Sequence, residues 1–225
     1  MRNRFDMQLQ LLDEQLTHMG ELCETAIAKA TKALEECDME QARAIMEADE
    51  EIDQMEKDIE RLCLKLLLQQ QPVAKDLRRI SAALKMITDM ERIGDQTADI
   101  AEIVISSRHN TAADIEEIGI MAAAASKMVR DSVTAYVTKD LELAKNVVEA
   151  DDAVDHLFDT IRDELVDYIR KERGENGKRI FDLIMVTKYL ERIGDHATNI
   201  AEWVEFSITG VHRNGTALGE KLIKE

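Results

Sequence analysis

The 225-residue chain is poor in what other folds require: it has one proline, one tryptophan and an aromatic fraction of only 4%. So few aromatic pairs for strands, in a chain dominated by Ala, Leu, Ile, Met, Glu and Lys, exclude a β-rich reading and predict an all-α fold. Cysteine is scarce too. Cys23, Cys37 and Cys63 are odd in number and lack CxxC or Cys/His spacing, which excludes a disulfide framework and predicts free thiols in a reducing compartment. No apolar run approaches the ~20 residues that span a bilayer. The opening Met1-Arg2-Asn3-Arg4 leads into an acidic amphipathic stretch without a signal-peptide apolar core. A cytoplasmic protein is expected, reaching a membrane only peripherally, through partner proteins.

Positive charge is also in deficit, with 29 Lys and Arg against 46 Asp and Glu and a formal net charge of -17. Such a surface repels phosphate backbones and anionic lipid, which argues against nucleic acid as partner and against direct membrane insertion. Cations or basic protein surfaces fit better. The 45% hydrophobic fraction suffices for one sizeable core or two small ones without staples.

What is present is an internal repeat. Met90-Glu91-Arg92-Ile93-Gly94-Asp95-Gln96-Thr97-Ala98-Asp99-Ile100-Ala101-Glu102 returns 100 residues later as Leu190-Glu191-Arg192-Ile193-Gly194-Asp195-His196-Ala197-Thr198-Asn199-Ile200-Ala201-Glu202. A second echo, at an offset of 102, matches Glu47-Ala48-Asp49-Glu50-Glu51-Ile52-Asp53 with Glu149-Ala150-Asp151-Asp152-Ala153-Val154-Asp155, preceded by Asp38…Ala42 against Asp140…Ala144. The chain therefore reads as a tandem duplication, residues 1–110 and 111–225, joined near Arg108-His109-Asn110-Thr111.

Punctuation divides each half into three helices. Asp38-Met39-Glu40-Gln41 and Asp114-Ile115-Glu116-Glu117 resemble capping boxes, while Pro72 and Gly174-Glu175-Asn176-Gly177 break the two long hairpins. Each half is expected to be a three-helix bundle, elongated because its helices approach 30 residues, about 45 Å. Ile45, Ala48, Ile52, Met55, Ile59, Leu62 and Leu66 form a seam at alternating spacings of three and four. Its partner helix carries Ile80, Ile87, Gly94 and Ala101 in one row and Leu84, Glu91, Ala98 and Ile105 in the next. Met7, Met19, Met46, Met55, Met86, Met90, Met121, Met128 and Met185 read as core filler. Residues 209–225, with three glycines and no helical period, read as a loosely held tail.

Both echoes carry a carboxylate four residues before an aspartate: Asp49/Asp53, Glu91/Asp95, Asp151/Asp155 and Glu191/Asp195. That spacing stacks like charges on one helical face, where they repel. In an antiparallel hairpin the pairs centred on residues 51 and 93 are level if the turn is at 72, which is Pro72. The pairs centred on 153 and 193 are level about a turn at 173, beside the Gly174–Gly177 break. Four carboxylates at one level make an all-oxygen site for Mg²⁺, Mn²⁺ or iron. The competing reading is a set of interhelical salt bridges to Arg92, Arg192 and nearby lysines, with no metal. Arg92 and Arg192 directly follow the glutamates and are expected to point about 100° away from them. Gly94 and Gly194 imply close helix approach or room for a ligand at the same level. His156 and His196 adjoin the second-half aspartates, as candidate ligands or as solvent-facing histidines. Asp99, Glu102 and Glu202 extend the stripes, and Asn199 replaces Asp99; Glu56 is set aside because Phe158 takes its place in the second half.

Enzymatic signatures are missing. None of the five histidines has Glu three residues before it, as di-iron bundles require, and there is no GxxxxGK[ST], nucleophile elbow or HExxH. A metal-carboxylate bundle with an enzymatic or cation-storage role is the alternative the motifs alone permit. A non-enzyme is expected.

With the duplicated Glu-Arg-Ile-Gly-Asp-x-x-x-x-Ile and Ala-Asp-x-x-(Ile/Val)-Asp segments in hand, the chain resembles the PhoU family over essentially its whole length. The resemblance implies two three-helix bundles in a cytoplasmic, often dimeric protein. It also implies negative regulation of high-affinity phosphate uptake and of the phosphate-starvation (Pho) response, as an adaptor between the phosphate ABC transporter ATPase subunit and the PhoR-type histidine kinase. It further implies iron, zinc, manganese or magnesium bound through Asp49, Asp53, Glu91 and Asp95 in one bundle and Asp151, Asp155, Glu191 and Asp195 in the other.

Overall fold

The computed structural model describes residues 2–70, 72–107, 116–171 and 176–211. Among them the chain forms helices alone: α1 (Arg2–Glu36), α2 (Met39–Gln70), α3 (Ala74–Ser106), α4 (Glu116–Thr138), α5 (Leu141–Lys171) and α6 (Gly177–Thr209). The repeat is visible in how the helices are joined. Cys37 and Lys139, 102 residues apart, both take a left-handed conformation, with φ of 54° and 58°. The next residue in each case closes one helix and opens another. Asp38 donates its N–H to Ala33 O and Asp140 donates to Ala135 O, both at 3.0 Å. The Asp38 carboxylate then accepts from the N–H groups of Glu40 and Gln41 at 3.0 Å, and Asp140 accepts from Leu143 at 3.0 Å. One short polar side chain thus caps the following helix while its backbone finishes the preceding one.

The cap expected at Asp38 is therefore present. Its second-half counterpart is Asp140 rather than Asp114, and Asp114 lies outside the described residues, as do the 108–111 joint, Gly174 and Glu175. α2 ends before Pro72 and α3 begins after Val73; α6 begins after Asn176. At the far end, Gly210 adopts φ 81° and donates its N–H to Phe206 O, so helix extends to the start of the expected tail.

Helices α1, α2 and α3 form one bundle and α4, α5 and α6 the other, and the bundles join along α3–α6 and α1–α4. The α3–α6 seam is antiparallel. Lys85 lies over the Trp203 ring, Asp89 meets His196, and Ser107 donates to Asp182, so residue numbers rise on one helix as they fall on the other. A pseudo-twofold consequently places the two hairpin tips at opposite ends of the molecule. With helices of 31–35 residues in five of six cases, the long dimension is about 50 Å.

The row Ile80, Ile87, Gly94, Ala101 is buried in full, and Leu84, Glu91, Ala98 and Ile105 are half-buried along its edge. On α2, Ile45, Ile52, Ile59, Leu62 and Leu66 are buried and Met55 is half-buried, but Ala48 is exposed, just outside the bundle contact. The methionines divide likewise. Met19, Met86, Met90, Met121 and Met128 are core, Met55 and Met185 half-buried, while Met7 and Met46 are 63% and 41% exposed. Met46 follows buried Ile45 and is turned away from the core by one helical step, which is why periodicity and residue type disagree there.

Candidate metal centres

Each hairpin brings its carboxylate pairs together. A β-carbon built on Gly94 of α3 would lie 2.5 Å from Asp49 Oδ1 of α2, so the carboxylate fills the space a side chain there would need. At Gly194 the corresponding atom is Asp151 Oδ1, at 3.2 Å. Both glycines let a carboxylate lie against the partner helix's backbone. A small cavity of about 70 Å³, bounded by Thr97 and Ile52 among others, adjoins Asp49 in the first bundle.

The electrostatics join the remaining members. Burial pushes the Asp49 carboxyl up to about 6, with further contributions from Asp95, Asp53 and Asp99. Glu91 is raised by burial and then by Asp95, opposed by Arg92, with Glu56 and Asp53 adding to the rise. In the second bundle Asp151 is pushed up to about 6 by burial, Asp155 and Asp195. Asp155 is raised by burial and then Glu191; Asp195 is raised by burial and Glu191, opposed by Lys188. Motif carboxylates from the two helices of each hairpin therefore repel one another across it, Asp49 with Asp95 and Glu91 with Asp53 in the first bundle, Asp151 with Asp195 and Asp155 with Glu191 in the second. Asp155 and Asp195 are exposed and the other six are half-buried, so both centres open to solvent along one side.

Cations already lean on these centres. Arg92 Nη1 is 2.8 Å from Asp95 Oδ2 and its Nε 3.4 Å from Glu91 Oε2; Lys57 Nζ is 3.8 Å from Asp53 Oδ2. This corrects the expectation that Arg92 points elsewhere: its backbone does leave the face, but the long side chain reaches back along the helix to both acids. Arg192 behaves as expected, facing Asp99 of α3, and Lys188 takes the place on Glu191. With these pairings, no three Asp, Glu, His or Cys groups among the described residues converge tightly enough to hold a metal. The donors nevertheless suit one. The oxygens are hard, and Asp151 Oδ1 is buried with no hydrogen bond of good geometry, only the Thr198 hydroxyl of α6 lying near enough to ease its charge, an acceptor whose desolvation a bound cation would offset.

The flanking candidates resolve individually. His156 is exposed. His196 Nδ1 lies 2.9 Å from Asp89 Oδ1, and Asn199 Nδ2 donates to the same oxygen at 3.2 Å. Both residues are thus engaged across the α3–α6 seam, and Asn199 does not replace Asp99 as a donor to the second centre. Asp99 does couple to the first centre, through Asp49. Glu56, set aside on sequence, also belongs there: it raises Glu91 and accepts from Thr88 Oγ1 at 3.4 Å. The signal was available, because Asp49, Asp53 and Glu56 form an i, i+4, i+7 stripe. In the second centre Phe158 occupies that place, with Lys188 Nζ 5.4 Å from its ring centroid.

The geometry defines a class: a duplicated all-helical bundle with one carboxylate centre in each hairpin. A family model for the PhoU domain matches residues 16–104 and 118–204, one copy per bundle. Among curated relatives, a "phosphate-specific transport system accessory protein PhoU homolog" of Clostridium acetobutylicum is 37% identical over 93% of this chain and 96% of its own length. A protein of the same description from Aquifex aeolicus is 38% identical over 82% of this chain and 84% of its own. The crystal structure of PhoU from Pseudomonas aeruginosa superposes with a TM-score of 0.86 at 33% identity, covering 92% of this chain and 100% of that one. The phosphate transport system regulatory protein PhoU of Streptococcus pneumoniae gives 0.86 at 26% identity, covering 94% and 100%. The chain belongs to the PhoU family. These relatives are described as accessory or regulatory proteins and not as enzymes.

Proposed function

We propose that this protein is a non-enzymatic, metal-binding regulator of phosphate uptake. It keeps high-affinity transport and the phosphate-starvation genes repressed when phosphate is plentiful, working as a cytoplasmic adaptor between the phosphate ABC transporter ATPase subunit and a PhoR-type histidine kinase. The phosphate system enters through the descriptions of its relatives. The metal enters through one observation: Asp49 and Asp151 each lie against a glycine of the partner helix, under the field of two further motif carboxylates, Asp53 and Asp95 in one bundle and Asp155 and Asp195 in the other. Asp49, Asp53, Glu91 and Asp95 would hold one site, and Asp151, Asp155, Glu191 and Asp195 the other. A bound iron, zinc, manganese or magnesium ion would neutralise the repulsion within each quartet and tie two helices together. No helix among the described residues is long and apolar enough to cross a membrane, which accords with peripheral attachment through partners. Homodimerisation belongs to the same proposal.

Deleting the gene and measuring phosphate-scavenging gene expression in high phosphate tests the regulatory role: derepression is expected, and retained repression contradicts it. Pull-down from cells grown in high and low phosphate tests the partners.

A second reading has a specific observation in its favour. The ion pair between Arg92 and Asp95 at 2.8 Å shows that the first centre can be charge-compensated by the protein itself, leaving a helical scaffold without metal. Metal content of the purified protein decides between the two.

A further inference from the structure

The two carboxylate centres share their motif acids but not the pair of residues beside them. At the offset of 100, Thr88 of α3 corresponds to Lys188 of α6, and at the offset of 102, Glu56 of α2 corresponds to Phe158 of α5. Each pair meets across its own hairpin. In the first, the Thr88 hydroxyl donates to Glu56 Oε1 at 3.4 Å. In the second, Lys188 Nζ lies 5.4 Å from the Phe158 ring centroid. One hairpin therefore sets a further oxygen donor beside its motif acids, and the other sets a cation on an aromatic face.

Lys188 does more than balance surface charge. It bonds the carboxylate of Glu191, whose side chain is only 15% exposed. Asp155 and Asp195 are both raised chiefly by burial and by Glu191, and Lys188 opposes the rise in each. The ammonium thus acts on three of the four motif acids, one from α5 and two from α6. At the first centre the ion pairs run within single helices: Arg92 pairs with Glu91 and Asp95 of its own α3, and Lys57 with Asp53 of its own α2. Across that hairpin Arg92 meets the field of Glu56, an acid the second centre lacks.

We propose that Lys188 is a resident counter-cation of the second centre: it ties α5 to α6 in the metal-free protein, and a metal ion enters only by displacing it. A unit positive charge a few ångströms from a divalent ion weakens its binding about tenfold or more, even at the dielectric of water. The inference rests on the metal reading of both centres, and it makes them unequal. The first centre, with Glu56 where the second has Phe158, fills first. The second fills at higher metal concentration, as the half-exposed ammonium moves off Glu191.

The test titrates Mn²⁺ into the chelator-stripped full chain and reads the free ion by electron paramagnetic resonance. Glu191→Ala leaves the first centre alone, and Glu91→Ala leaves the second. The first is expected to bind at least about tenfold more tightly. Adding Lys188→Met to Glu91→Ala keeps an unbranched stem beside Phe158 and is expected to tighten the second centre about tenfold; Lys188→Arg, which keeps the charge, is expected to leave it weak. In chelator, Lys188→Met alone should melt below the wild type and regain the difference with Mn²⁺, which a loss of packing would not. With Mn²⁺ bound at both centres, equal affinities, a second centre unmoved by Lys188→Met, or a melting loss that Mn²⁺ does not restore would overturn this inference alone. No Mn²⁺ bound by any of these proteins would overturn the metal reading with it.

Discussion

Asp49 occupies the space that a side chain at Gly94 would take, its Oδ1 lying 2.5 Å from where a β-carbon would stand; at Gly194 the same relationship with Asp151 is relaxed to 3.2 Å. Gly94→Ala must therefore displace the carboxylate and nudge Ile52, whose side chain is 3.1 Å away. The carboxylate can turn away, but Ile52 is buried and its Cγ2, fixed on the β-carbon, also stands at 3.3 Å, so the gain of about 1 kcal/mol in helix propensity is opposed by an overpacking cost of about 1–3 kcal/mol and metal-free stability should fall by up to about 2 kcal/mol. Metal affinity at the first centre should fall, and more than in Gly194→Ala at the second. Paired chemical denaturation and metal titration of the two variants check this.

The raised carboxyls give a pH dependence of definite sign. Asp49 and Asp151 are each pushed from 3.8 to about 6, so the folded protein binds more protons than the unfolded chain between those values. The stability penalty is complete above about pH 6 and is relieved as pH falls toward 4. In chelator, the melting temperature should rise from pH 7.5 to pH 5, and Asp49→Asn with Asp151→Asn should raise it at pH 7.5 while flattening the profile. Melts that fall on acidification across this window would contradict the assignment.

Capping supplies a prediction independent of metal. Asp38→Ala and Asp140→Ala should each cost about 1 kcal/mol in urea unfolding, since each removes side-chain bonds to the N-terminus of a long helix. Cys37→Gly should stabilise, because Cys37 sits at φ 54°, where glycine has no steric penalty.

Across the α3–α6 seam, Asp89→Ala leaves His196 and Asn199 without their shared acceptor. A loss of about 1–3 kcal/mol is expected, and it should be strongly non-additive with His196→Ala in a double-mutant cycle. Metal content should be unchanged in His196→Ala. Loss of one metal equivalent there would make His196 a ligand instead of a seam residue.

Much of this was legible in the sequence because helical periodicity and a duplicated motif fix more than one helix at a time. The repeat and Pro72 at the hairpin midpoint placed the Asp49/Asp53 pair level with the Glu91/Asp95 pair before any coordinates. What was not legible depends on side-chain reach and on packing between the repeats. Arg92 leaves the carboxylate face by its backbone angle, yet its side chain returns to Glu91 and Asp95. His196 neighbours Asp195 in sequence, but the antiparallel α3–α6 contact gives it to Asp89. Glu56 was discounted because its counterpart is Phe158, a test of symmetry that fails where the two centres have diverged. Asp140 was available in the same echo as Asp38, but the acidic Asp114 segment offered a competing cap signal.

The central claim, that each hairpin builds its own carboxylate metal centre, is tested most directly by elemental analysis of purified protein. The wild type, Glu91→Ala, Glu191→Ala and the double variant would be compared at matched loading. Stepwise loss, with each single variant losing the metal of its own bundle and the double variant metal-free, is the predicted result. Metal content that is the same in all four proteins, or absent from the wild type after loading with iron, zinc, manganese and magnesium, would contradict it.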